Sequence, residues 1–251
     1  MNKGEGKNLT ASYSWFKDQD VINDFVGAVN EISESLPDKV EILSIGSGVG
    51  TLEIEVKRSL EQKFHRQVVL TLTDRDIKDT TSKSDIRVLK ADNKDLPFQD
   101  KTFDLILARS VTHYEKNIES ETRVLDEINR VMRDEGFFIT EAPFLAGTEE
   151  AALLHEIHSS VSKFMNLKTH QELLDIHKNV FKVVEVAAHQ PGKPLSVAKD
   201  NFIKRYEISD EKADEIADLI RGHDSKQIPN VWINGNDFGW SVNYAILICS
   251  K

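Results

Sequence analysis

Residues Ile42–Gly50 read I-L-S-I-G-S-G-V-G, an apolar run that opens into three glycines at every second position. The run Val40–Ile45 has little polar alternation, which is the pattern of a strand covered on both faces. Glycines at 46, 48 and 50 remove side chains where the backbone must turn tightly and where a ligand must come close. Thr51–Phe64 then places Leu52, Val56, Leu60 and Phe64 on one helical face. Strand, glycine turn and helix together predict a nucleotide-binding βα unit. In the dinucleotide fingerprint G-x-G-x-x-G the sixth position here is Thr51, and the third glycine arrives one residue early. The next predicted strand, Val68–Thr73, runs into Asp74 in L-T-D-R-D. A carboxylate there can accept two hydrogen bonds from ribose hydroxyls, with Asp76 as the fallback; the alternative role for Asp74 is to cap its own loop.

Outward from this unit, short apolar runs alternate with amphipathic segments. Strands are expected at Ile86–Leu89, Phe103–Ala108 and Phe137–Glu141, with a helix at Ile118–Met132. Such alternation predicts a doubly wound α/β fold whose parallel sheet carries helices on both faces. Before it, apolar residues recur at helical spacing from Ser14 to Ile32, suggesting a helical cap over residues 1–38. After it come helices at Glu149–Met165 and Thr169–Asn179, with Thr169 and Glu172 as a capping box, and a strand at Phe181–Ala187. A helix at Ser209–Ile220 and a closing strand at Asn243–Ile248 finish the chain. Residues from about 191 to 240 are too many for a hairpin loop and form an insertion on the substrate side of a domain spanning 39–251.

Composition limits the partners. The 251 residues carry a net charge of −10, whereas a nucleic-acid binder needs a basic face to displace counterions. Lys57, Arg58, Lys63 and Arg66 are the densest basic group and fall on the polar side of a predicted helix, as a solvated face does. No apolar run reaches the ~20 residues of a membrane span, and the first thirty residues lack a signal peptide's apolar stretch, so a cytoplasmic protein is expected. Cys249 is the only cysteine, which excludes an intrachain disulfide and predicts plain core. His155 and His158 have metal-ligand spacing but no third ligand follows, so no metal is expected.

Over Val40–Glu141 the chain resembles the class I, Rossmann-like S-adenosylmethionine-dependent methyltransferases. Gly46, Gly48 and Gly50 match their glycine motif, and Asp74 falls on their ribose-binding acid. The stretch A-D-N-K-D-L-P-F-Q-D-K-T-F-D, Ala91–Asp104, is similar to their next motif, in which the first acid, here Asp92, accepts from the adenine's exocyclic amine. R-V-M-R-D-E-G, Arg130–Gly136, resembles their R-V-L-K-P-G-G turn. There are two departures. Ser44 stands where the family usually has an acid, two residues before the first glycine, and Asp134 and Glu135 replace a proline and a glycine. The resemblance implies a mostly parallel seven-stranded sheet with an antiparallel last strand. It implies S-adenosyl-L-methionine as cofactor, bound by Gly46, Ser47, Gly48, Gly50, Asp74 and Arg75 at the first two strands. Asp92, Asn93, Arg109 and Ser110 complete that set. Methyl transfer to a nitrogen or oxygen of a small-molecule acceptor is the implied reaction, with no nucleic acid or membrane as partner.

Transfer from a sulfonium is an in-line displacement in which the protein mainly aligns the groups, and a base helps only a hydroxyl or a protonated amine. His113, in A-R-S-V-T-H-Y after the fourth strand, is the candidate base; its alternative role is packing beside the cofactor. Tyr114 is placed to stack on a ligand and Glu141 to meet a cationic substrate. Trp15 and Phe16, with Trp232, Asn234, Asn236 and Trp240 of P-N-V-W-I-N-G-N-D-F-G-W, supply the apolar area and oriented amides of an acceptor pocket. Two competing readings stay open: the same fold used as a cyclase or a non-catalytic binding module, and an NAD-dependent oxidoreductase.

Overall fold

The computed structural model describes residues 19–48, 50–76, 85–161, 166–190, 195–197, 199, 203, 207–223, 231–234, 237–240 and 243–251. Its centre is a sheet built from β1 (Lys39–Ile45), β2 (Gln67–Asp74), β3 (Ile86–Lys90), β4 (Phe103–Arg109), β5 (Met132–Leu145), β7 (Val183–Gln190) and β11 (Asn243–Ser250). The spatial order is β3-β2-β1-β4-β5-β11-β7, and the two-residue β6 (Lys168–Thr169) pairs with β5 off this path. β1 to β5 are mutually parallel, while β11 runs antiparallel to both β5 and β7. Strand order reverses at β1, between β2 and β4, which is where open α/β sheets hold ligands at their carboxyl edge.

Each face of the sheet carries its own core. On one, Val40, Ile42, Leu70, Leu105 and Ile139 meet α1 (Gln19–Glu31) and α2 (Thr51–Phe64) through Phe25, Val29, Val56 and Leu60. On the other, Leu43, Ile106 and Phe138 meet α3 (Ile118–Val131) and α5 (His170–Lys178) through Leu125, Ile128, Leu173 and Ile176. Strictly alternating strand residues therefore serve two helical layers, which explains why the strands read as continuous apolar runs. Helix starts are chemically fixed. Asn117 and Ser120 form a capping box on α3, and Thr169 and Glu172 form the expected one on α5.

β5 is longer than the sequence pattern suggests at both ends. Its register jumps from Phe103↔Met132 to Leu105↔Phe137, so Arg133–Gly136 bulge opposite Asp104. Asp104 holds the bulge, accepting from Arg133 Nη1 at 2.5 Å and from Glu41 N at 2.8 Å. The polar R-D-E-G hides this part of the strand from a hydrophobicity reading. Beyond Glu141, Pro143 reads as a terminator, but β4 has already ended opposite Glu141 and the strand continues beside β11.

The late insertion contains a structure of its own. β8 (Leu195–Val197), β9 (Val231–Asn234) and β10 (Asp237–Trp240) form a three-stranded antiparallel sheet in the order β8-β10-β9. It shares a third core with α4 (Thr148–Ser160) and α6 (Asp210–Arg221), in which Leu153, Leu154, Ile157, Ile216 and Phe238 surround the end of β5 at Leu145. His177 lies fully buried beside the paired rings of Phe138 and Phe181, and its Nδ1 donates to Leu173 O at 2.8 Å. Burial pushes its pKa down to about 4, so this imidazole is a neutral core group. Burial likewise pushes up the thiol of Cys249, which belongs to the same core. No described helix is long and apolar enough to cross a membrane.

Candidate active site

The turn between β1 and α2 has a conformation that glycine alone adopts without strain. Gly46, Gly48 and Gly50 have φ of 60°, 56° and 74°, the left-handed region that disfavours any side chain. At Gly46 there is also no room, since a Cβ would lie 2.7 Å from Val111 Cγ2. The turn is pinned from β2: Ser47 N donates to Thr73 O at 3.0 Å, and Gly48 N donates to Asp74 Oδ2 at 3.0 Å. No side chain caps the start of α2, so the first helical N–H groups and their dipole face the turn. Ser47 Oγ is shielded from solvent with no hydrogen-bond partner among the described residues. An open helix end, an orphan hydroxyl and a backbone stripped of side chains fit the polar end of a bound cofactor.

Asp74, half-buried at the end of β2, accepts from Gly48 N with one oxygen and from Asp76 N at 2.9 Å with the other. The capping role is therefore real. Each carboxylate oxygen has two acceptor sites, so ribose hydroxyls can still be received. Arg75 beside it is exposed. Asp92 accepts from Lys94 N at 3.0 Å, a bond that with the Lys94 ammonium holds its carboxyl below the usual range, while Asn93 is half-buried next to it.

At the end of β4 the chain leaves the sheet through Ser110, whose φ of 54° is unusual for a side-chain-bearing residue. Such backbone costs on the order of 1–3 kcal/mol and clusters at functional sites. Ser110 N donates to Glu141 O at 2.8 Å, and Ser110 Oγ donates to Glu141 Oε1 at 3.3 Å. A short 3₁₀ turn at Thr112–Tyr114 follows, so Val111, whose side chain touches Gly46, ties this loop to the glycine turn. His113 is 6% exposed, its ring centroid lies 4.1 Å from that of Tyr114, and Tyr114 faces outward. Glu141 is fully buried, with Oε1 3.7 Å from Arg109 Nε.

The glycine turn and the loop after β4 thus come together through Gly46 and Val111. Trp15, Phe16 and Asn236 lie outside the described residues. Trp232, Asn234 and Trp240 fall on β9 and β10, a sheet whose Phe238 is fully buried in the third core. His155 lies on α4, and among the described residues no group of three or more His, Cys, Asp or Glu side chains is placed to hold a metal ion.

Two features had not been read from sequence. Glu53, in the first turn of α2, is buried and accepts from Ser44 Oγ at 2.6 Å. Burial pushes its carboxyl up, against the opposing pull of the Ser44 bond, its own backbone N–H and the Arg109 charge. Beneath His113 lies a second buried set, where Lys168 is paired with Glu121, Asn166 Nδ2 donates to Glu121 at 3.1 Å, and Asn166 N donates to His113 O at 2.7 Å. A charged residue at a helical core position is the signal that marks both.

Residues 43–140 match the family profile described as a methyltransferase domain. No curated protein matches the chain. Among solved structures, the YcgJ protein from Bacillus subtilis superposes with a TM-score of 0.66 at 14% identity, covering 91% of this chain and 99% of that one. A putative methyltransferase from Bacillus halodurans gives 0.62 at 12% identity, with coverages of 89% and 96%. The [4+2]-cyclase SpnF gives 0.51 at 14% identity, with coverages of 90% and 85%. The glycine turn and Asp74 fall within residues 43–140, the part of the chain similar to the methyltransferase domain family, and the superpositions show that the chain shares the fold of these structures.

Proposed function

We propose that the chain transfers the methyl group of S-adenosylmethionine to a nitrogen or oxygen atom of a small-molecule acceptor. The observation that supports this most is the contact of Gly46 with Val111, which directly precedes the turn carrying His113 and Tyr114. The cofactor supplies an activated methyl on a good leaving group, so the protein's part is to hold, orient and exclude water. Gly46, Ser47, Gly48 and Gly50 with Asp74 hold the cofactor's polar end and ribose, and Asp92 receives the adenine amine. His113, shielded in the loop after β4, takes the acceptor's proton. The net charge of −10 favours a small acceptor over a polyanion. The small sheet of β8, β9 and β10 then supplies the acceptor wall, through Trp232, Asn234 and Trp240.

If His113 is the base, His113→Ala lowers the single-turnover rate by ~10²–10⁴ and leaves S-adenosylhomocysteine affinity unchanged. A parallel loss of cofactor affinity shows instead that the ring only packs. The reaction class is tested by incubating the protein with cofactor carrying a labelled methyl and panels of amines, phenols and acids. Label in an amine or phenol supports the assignment. The likeness to a cyclase gives the second reading its footing, and cofactor binding with no label transferred to any acceptor favours it.

A further inference from the structure

We propose that Glu121 is a positioning residue for His113: its buried carboxylate gathers the segments that hold the His113 turn and so fixes the direction of the imidazole. The inference rests on His113 being the base of the proposed transfer, and it gives that base a support from α3.

A single 3₁₀ turn has poor hydrogen-bond geometry, so Thr112–Tyr114 needs outside support to hold one side-chain direction. Its own backbone supplies Tyr114 N donating to Val111 O at 3.2 Å and Glu115 N donating to Thr112 O at 3.0 Å. The further support comes from α3. Glu121 Oε2 accepts from Asn166 Nδ2 at 3.1 Å and is paired with the Lys168 ammonium, and the Thr112 hydroxyl donates to the same carboxylate. Asn166 N donates in turn to His113 O at 2.7 Å. His113 is therefore held through the residue before it and through its own carbonyl, and both routes end on Glu121. Thr112, His113, Glu121, Asn166 and Lys168 are all buried, where such bonds are stronger than in water. Leu167, between the two donors, packs in the third core with Leu145 and Phe238. The same carboxylate thus ties the turn to the core that carries the small sheet of β8, β9 and β10.

Stability alone does not account for this arrangement. A buried ion pair gains little over apolar groups of similar volume. Several directed bonds on one acceptor instead fix an orientation, and orientation is what a base requires. A displacement of about 1 Å in a reacting group costs on the order of a hundredfold in rate. The charges that reach the Glu121 carboxylate are Lys168 from β6, which favours its ionised form, and Glu115 after the turn, which opposes it.

The test separates position from stability in variants of the whole 251-residue chain. Lys168→Met with Glu121→Leu removes the hub and leaves an apolar core. Glu121→Gln keeps an acceptor oxygen for Asn166 and Thr112 but strands the Lys168 ammonium. Each protein is saturated with S-adenosylhomocysteine and read by NMR with labelled histidine, the His113 signals being those lost in His113→Ala. In the native chain the Tyr114 ring, 4.1 Å away between centroids, is expected to displace the His113 ring protons from their position in an exposed histidine. In the apolar pair those signals are expected to move toward the exposed position. Its single-turnover rate, with whichever amine or phenol takes up label, is expected to fall about a hundredfold at unchanged S-adenosylhomocysteine affinity. Glu121→Gln is expected to lose stability yet keep the native His113 signals and most of the native rate. Native signals with a native rate in the apolar pair would overturn the proposal, since Glu121 would then serve stability alone. A loss of S-adenosylhomocysteine affinity equal to the loss of rate would also overturn it, because the whole sheet edge would have shifted. If the apolar pair does not fold, Thr112→Val removes one hydroxyl and leaves the ion pair: displaced His113 signals support the proposal and native ones overturn it. A native rate in His113→Ala counts against His113 as the base, a separate failure in which displaced signals in the apolar pair still support Glu121 as the hold on the turn.

Discussion

Lys168→Ala is expected to destabilise the protein by about 3–5 kcal/mol, the cost of stranding one member of a buried ion pair. Lys168 is 6% exposed and Glu121 fully buried, and the two are joined across the connection from β6 to α3. Lys168 Nζ also donates to Asn166 O at 3.0 Å, and Asn166 in turn holds both Glu121 and the backbone of His113. Burial pushes the Glu121 carboxyl up, and the Lys168 ammonium is the main force opposing it. Removing the ammonium leaves an uncompensated carboxylate in the core. Lys168→Met combined with Glu121→Leu removes both charges and should return stability to within about 1 kcal/mol of native, because a buried pair gains little over well-packed apolar groups. Denaturant unfolding of the three proteins reads the difference. A single variant as stable as the native chain would show that the pair is hydrated and not part of the core.

Asp74→Ala is expected to weaken S-adenosylhomocysteine binding by about 2–4 kcal/mol, the scale of losing a charge-assisted, paired contact. Asp74 braces Gly48 N in the turn, and its proposed second duty is to receive the ribose. Asp74→Asn separates them. An asparagine oxygen still accepts from Gly48 N, while its NH₂ cannot accept from a hydroxyl, so the turn survives and part of the ribose contact is lost. The asparagine variant should therefore bind with intermediate affinity. Unchanged affinity in the alanine variant would move the ribose contact to Asp76.

The part of this chain that was legible in its sequence is the part in which one residue type has one physical reason to be present. Gly46 cannot be replaced in a left-handed turn pressed against Val111, and Val40, Ile42, Leu43 and Ile45 have to be apolar because both faces of β1 are covered. Thr169 and Glu172 announced a helix start that the structure has. What stayed hidden depends on contacts between distant segments. Helical spacing marks Glu53 and Glu121 as inward positions, but nothing local says that their partners are Ser44 and, forty-seven positions after Glu121, Lys168. The bulge at Arg133–Gly136 was masked because its polar residues stand opposite one residue of β4. The hairpin β9–β10 was within reach, since N-G between two apolar runs is a hairpin signature.

The central claim is that the turn at Gly46–Gly50 with Asp74 binds the sulfonium cofactor and not a dinucleotide. Calorimetric titration of the 251-residue chain with S-adenosylhomocysteine, and separately with NADH, decides it. The account predicts saturable one-to-one binding of S-adenosylhomocysteine and no binding of NADH. Saturable binding of NADH by a chain that ignores S-adenosylhomocysteine would contradict it.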